Sequence, residues 1–186
     1  MKCFIGVDLA VREGKCCGIA ILKGSVCLAM CSFSWRETVE LLTRIVEECS
    51  ECIVAIDAPL TTSERGFRDV DKRMISLGYR VLPPSFPGMR VLTSKAIELS
   101  KMLRGKGCRV LETHPRSALL SSRCSDAEDI MRRLGLRCVI RAERSKWLKD
   151  VLDSLVALCV AICSEKGCSK SIDGVDGSIE ILETLC

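Results

Sequence analysis

Three apolar runs in this chain each end in an acid, and that pattern narrows the folds open to it. They are Cys3-Phe4-Ile5-Gly6-Val7-Asp8, Cys52-Ile53-Val54-Ala55-Ile56-Asp57 and Cys108-Arg109-Val110-Leu111-Glu112. Runs of this kind predict strands covered on both faces of a sheet. One acid at a strand end is ordinary. Three of them, followed by Asp150 and Asp153 at the head of an apolar helical run, predict convergence on one site. Three residues apart, the last two acids point about 60° from each other around a helix, so both can reach it. Carboxylates do not gather in a low-dielectric place unless a cation neutralises them. The expected cofactor is Mg²⁺ or Mn²⁺, hard ions that take oxygen ligands.

The other segments set the topology. Strands are predicted at 5–9, 17–22 and 26–33, joined by short turns at 11–15 and 23–25. A helix from Trp35 to Glu48 has Val39, Leu42, Ile45 and Val46 on one side. After the strand at 52–56 come a short helix at 67–77 and a rigid proline-rich loop at 82–88. Thr93 or Ser94 caps a helix that runs to about Arg104, where Gly105 and Gly107 end it. A strand at 108–111 follows. Ser125 caps a helix at 127–134, Ser145 caps the last long helix to about Cys163, and 175–182 adds a strand or helix. Short turns make the first three strands antiparallel, whereas the later ones need helical crossovers and run parallel. The expected fold is α/β: a ribonuclease H-like mixed sheet flanked by helices, in one domain over residues 1–186. In that layout the ends of the first and fourth strands are neighbours. Asp8 then meets Asp57, and the last helix brings Asp153 and Asp150 over them.

A composition 48% hydrophobic and 28% charged excludes a disordered chain. No apolar run reaches the roughly 18 residues of a membrane span, and the first is too short for a signal peptide. A cytoplasmic location without a membrane partner is expected. Of fourteen cysteines, Cys49 and Cys52 form a Cys-x-x-Cys with no second pair to complete a zinc site. Most cysteines lie in apolar runs, where free thiols act as small buried hydrophobes. Intramolecular disulfides are the alternative in a hyperthermophile. The net charge is +4, and its distribution says more. Arg132, Arg133, Arg137, Arg141, Arg144, Lys146 and Lys149 stand against Glu143 alone, and Arg65, Arg68, Lys72 and Arg73 form a second group. Arg68, Arg132, Arg133, Arg137, Arg141, Lys146 and Lys149 are therefore expected to contact nucleic-acid phosphates. A solvated face is the alternative.

Four motifs in order carry a resemblance: Gly6-Val7-Asp8-Leu9-Ala10, Ala55-Ile56-Asp57-Ala58-Pro59-Leu60, Glu112-Thr113-His114-Pro115 and Asp150-x-x-Asp153-Ser154-Leu155. Together with Arg68-x-x-Asp71 they resemble domain-of-unknown-function family 429, described as predicted ribonuclease H-like nucleases. The resemblance spans Gly6 to Cys163, and 150–162 is also similar to the last helix of the RuvC resolvase group. It implies a metal role for Asp8, Asp57, Asp150 and Asp153 in hydrolysing a phosphodiester, with two ions about 4 Å apart. Glu112 is a fifth catalytic candidate, or else pairs with Arg68 or Arg109. His114, the only histidine, could shuttle a proton or simply pack.

Two other classes compete. Actin-like ATPases share the strand order but cradle phosphate in a Gly- and Ser/Thr-rich turn, where this chain has Leu9-Ala10-Val11-Arg12. A non-catalytic ribonuclease H-like domain that binds nucleic acid or protein is the closer rival. With aromatics at 4%, backbone and shape are the expected readout.

Overall fold

The computed structural model describes residues 1–64, 66–142 and 145–186. Arg65, Glu143 and Arg144, part of the two basic groups, lie outside the described residues. The chain runs β1 (Lys2–Asp8), β2 (Cys17–Lys23), β3 (Val26–Ser32), α1 (Trp35–Glu47), β4 (Glu51–Asp57), α2 (Asp69–Ser76), α3 (Pro87–Gly105) and β5 (Arg109–Thr113). It continues through α4 (Pro115–Ser122), α5 (Ala127–Arg133), β6 (Val139–Arg141), a 3-10 turn (Ser145–Trp147), α6 (Leu148–Lys166), β7 (Ser169–Gly174) and β8 (Gly177–Leu182). One sheet has the order β6-β3-β2-β1-β4-β5-β8-β7. β1, β2 and β3 pair antiparallel, and β4 joins β1 in parallel and β5 joins β4 likewise. This is the mixed α/β, ribonuclease H-like arrangement expected from the sequence. Among the described residues, no helix is long and apolar enough to cross a membrane.

The pleat sorts side chains between two cores. Ile5 and Val7 of β1 and Val54 and Ile56 of β4 pack with Leu42 of α1 and Leu99 of α3. Ile53 and Ala55 face the other way, into a core built on Leu155, Leu158 and Ile162 of α6. By the same period of two, Asp8 and Asp57 fall on the α6 face. From Ser154 to Cys163 α6 is apolar almost all round because it is buried all round there. It lies directly on the sheet where β1 and β2 carry glycines. A Cβ at Gly6 would overlap the backbone of Ser154 and Leu158, and one at Gly18 the carbonyl of Asp150.

Local expectations changed in places. α3 starts at Pro87, inside the proline-rich segment, because proline is tolerated in a first turn that needs no N–H donor there. Asp126, not Ser125, caps α5, accepting from the Asp129 N–H at 2.8 Å. β6, β7 and α4 were not individually expected. The cysteines are mostly paired: Cys3–Cys52, Cys16–Cys31, Cys27–Cys138, Cys124–Cys186 and Cys163–Cys168 are disulfides. Cys3 and Cys52 are register partners on β1 and β4, which brings their Cα atoms to 4.8 Å. Cys17, Cys49, Cys108 and Cys159 remain thiols.

Candidate functional site

Asp8 and Asp57 are register partners at the C-terminal ends of the parallel strands β1 and β4. Neither has a hydrogen-bonded cation. Burial raises the pKa of Asp8, and the charges of Asp153 and then Asp150 add to it against Lys149, so that it is pushed up to about 7. Asp57 is raised well above the carboxylate range, by burial first and then by Asp8 and Asp153. Burial also raises Asp150, with Lys149 opposing and Asp153 adding. Four acids from β1, β4 and α6 thus form one electrostatic unit. Lys149, one turn before Asp153, donates to its Oδ2 at 2.5 Å.

Mutually repelling carboxylates suit a hard divalent cation, which would remove the repulsion that helps hold their pKa values up. Asp8 and Asp57 would hold it from the sheet and Asp153 and Asp150 from α6. The acids are splayed: among the described residues, no three of them bring one oxygen each within 4.8 Å. The group that does is Cys124, Asp129 and Cys186, whose two sulfurs are joined to each other.

Glu112 ends its strand as Asp57 does, but the pleat turns it to the other face. It pairs in register with Ile56, whereas Asp57 pairs with Thr113. Its Oε1 accepts from Arg68 Nη2 at 2.5 Å, and its Oε2 accepts from Arg68 Nη1 at 2.9 Å and the Leu60 N–H at 2.7 Å. Arg68 also binds Asp71 through Nε and Nη2 and donates to Thr61 Oγ1. Burial works to lower the Arg68 pKa, but hydrogen bonds to Glu112 and Asp71 raise it overall. Two expectations are corrected here. Arg68, with 1% of its side chain exposed, is a buried ion-pair partner and no phosphate contact. Glu112 takes the pairing alternative: Arg68 and the Leu60 N–H engage both its oxygens, while it lines the same cavity as Asp8 and Asp57 and its charge adds to the raising of Asp57.

A cavity of about 470 Å³ opens beside the strand ends. Asp8, Asp57, Glu112 and His114 line it, as do Arg68, Arg80 and Arg116, and Val81, Leu82 and Met89 add apolar surface. Asp150 and Asp153 are not part of its lining. His114 Nδ1 lies 2.7 Å from Ser117 Oγ. Burial, then Arg116, lowers its pKa against the pull of Asp153, so the ring is neutral at pH 7. The expected phosphate track lies elsewhere. Arg132, Arg133, Arg137 and Arg141 are exposed on α5, β6 and the segment between them; α5 packs on α6, β6 lies beyond β3, and none of the four lines the cavity. Arg132 pairs with Asp129 at 3.1 Å, and Lys146 stacks over Trp147 with Nζ 5.1 Å from the ring centre. Sequence reasoning missed Arg80 and Arg116. Arg80 lies in the segment between α2 and α3 and Arg116 in the first turn of α4, and no spacing marks either.

No family model matches the chain, and no curated protein matches it. Among solved structures, it is similar to Thermus thermophilus RuvC in complex with a Holliday junction substrate. That likeness has a TM-score of 0.45 at 15% identity, covering 90% of this chain and 97% of the other. A second Thermus thermophilus RuvC structure gives a TM-score of 0.41 at 15% identity, covering 89% and 96%.

Proposed function

We propose that this chain is a divalent-metal-dependent nuclease that hydrolyses phosphodiester bonds in nucleic acid, with Mg²⁺ or Mn²⁺ as its cofactor. One observation carries the reading: Asp8 and Asp57 stand in register at adjacent strand ends under the field of Asp150 and Asp153, with their pKa values raised. A fold does not hold like charges together at such a cost for packing alone. The motif resemblance to domain-of-unknown-function family 429 agrees with it.

A bound divalent cation supplies Lewis acidity and charge neutralisation at the phosphate. Asp8 and Asp57 orient it from the rigid strand ends. Asp153 turns from Lys149 toward it, which leaves Lys149 to offset charge on the scissile phosphate. His114, when its Nδ1 donates to Ser117, can accept a proton at Nε2 on the cavity side.

A binding-only domain is the second reading, favoured by the ion pair in which Lys149 already neutralises Asp153. Incubating labelled single-stranded, duplex and branched DNA and RNA with Mn²⁺ separates the two, with wild type and Asp8→Asn in parallel. The expected result is cleavage by the wild type alone. Binding by both, with no cleavage of any substrate, selects the binding domain.

A further inference from the structure

We infer that the cavity beside the acids is a slot for one unpaired nucleotide, with a phosphate against Arg80 and Arg116 and the base along Val81, Leu82 and Met89. The inference rests on the reading of nucleic acid as substrate and adds which part of it enters. Three observations support it.

The first is charge. The cavity that Asp8 and Asp57 line is lined by Arg80 and Arg116 as well. Both arginines are exposed, and neither is ion-paired to a carboxylate among the described residues. Their planar forks match phosphate oxygens. They also line a smaller groove with Tyr79 and Leu120, so positive surface continues outward from the cavity as a strand leaving it would require.

The second is the wall. Leu82 is 56% exposed on the lip, next to Pro83 and Pro84, which stiffen the loop. Val81 and Met89 extend the same apolar surface inward. A phosphate alone would leave this wall bare; a ligand that joins a phosphate to a flat apolar ring covers both.

The third is size. About 470 Å³ is the scale of a small-ligand site. It admits one nucleoside unit and not a stacked base pair, so the base must be out of the duplex. None of the basic residues on α5 and β6 lines this cavity.

The test is equilibrium binding of a fluorescent tetranucleotide in EDTA, where metal-dependent cleavage cannot intervene. The abasic tetranucleotide and a short blunt duplex serve as comparison probes. Arg80→Ala and Arg116→Ala are each expected to weaken tetranucleotide binding about tenfold. Leu82→Ser should weaken it too, while leaving the abasic probe unaffected, and the duplex should bind more weakly than the single strand. All three positions are exposed, so the variants should fold; far-ultraviolet circular dichroism checks this. The inference is overturned if no probe binds or if the arginine variants bind as the wild type does. It also fails if Arg132→Ala with Arg133→Ala carries the loss instead, or if wild type binds the abasic and full probes equally. Cleavage is scored separately with Mn²⁺. Cleavage that ignores Arg80 and Arg116 leaves the nuclease and removes the slot, and slot-dependent binding without cleavage does the reverse.

Discussion

Asp57 and Glu112 end adjacent parallel strands, both sit at the close of an apolar run, and they meet opposite fates. Glu112 is turned to the α3 side, where Arg68 reaches it from 44 residues earlier in the chain and satisfies both oxygens. Asp57 is turned to the α6 side, where it meets Asp8 and the field of Asp153. The first arrangement is complete within the protein. The second keeps its mutual repulsion, which Lys149 opposes from within the protein. The comparison teaches that a buried acid is informative about function when its partners are missing, not merely because it is buried.

The contrast breaks most visibly at Arg68. Arg68→Ala leaves Glu112 and Asp71 buried without a cation and should cost about 3–5 kcal/mol of stability in urea denaturation. A loss below about 1 kcal/mol would mean that the triad is no more self-sufficient than the acid cluster.

Removing an acid from the other region should do the opposite. Asp57→Asn should stabilise the metal-free protein at pH 8, by about 1 kcal/mol, and abolish Mn²⁺ binding by calorimetry. The sign of the pH dependence follows from Asp8, raised from 3.8 to about 7 by burial and by Asp153 and Asp150. The folded state holds this proton more tightly than the unfolded one. Asp8's contribution to metal-free stability is therefore full below about pH 4 and is lost as pH rises through about 7. Melting temperature followed across that window should fall in wild type, and the fall should shrink in Asp8→Asn and with saturating Mn²⁺. A wild-type profile that rises instead would show that the acids are already compensated.

The smallest effect sharpens the boundary between the regions. Lys149 is 81% exposed, so Lys149→Ala should change stability by no more than about 0.5 kcal/mol. Asp8, whose pKa Lys149 holds down, should nonetheless titrate higher by NMR. An unmoved Asp8 would separate Lys149 from the cluster altogether.

Much of this was legible in the residues, and what was not has physical causes. The strand order near β1 and β4 followed from continuous apolar runs and short turns, because both faces of those strands are covered. The neighbouring of Asp8 and Asp57 followed from that order. The fate of Glu112 did not, since it depends on one step of pleat parity and on an arginine brought in by tertiary folding. β7 was missed because Ser169, Lys170, Ser171 and Asp173 make a polar edge strand with no apolar period. β6 is only three residues long and pairs with β3 from a distant part of the chain. The disulfides depend on register: Cys3 and Cys52 are 49 residues apart in sequence and become neighbours only once β1 and β4 align.

The glycines under α6 carry one more implication. Gly18 lies against the carbonyl of Asp150, and Gly6 against Ser154, the residue after Asp153. The depth at which the helix seats, and with it the gap its acids must span to reach Asp8 and Asp57, is therefore set by two absent methyl groups. Adding either one would wedge the helix off its track and widen a ligand cage without altering a single ligand. The affinity of the proposed site for a cation would thus be written partly in residues that could never touch it, on the floor rather than in the walls.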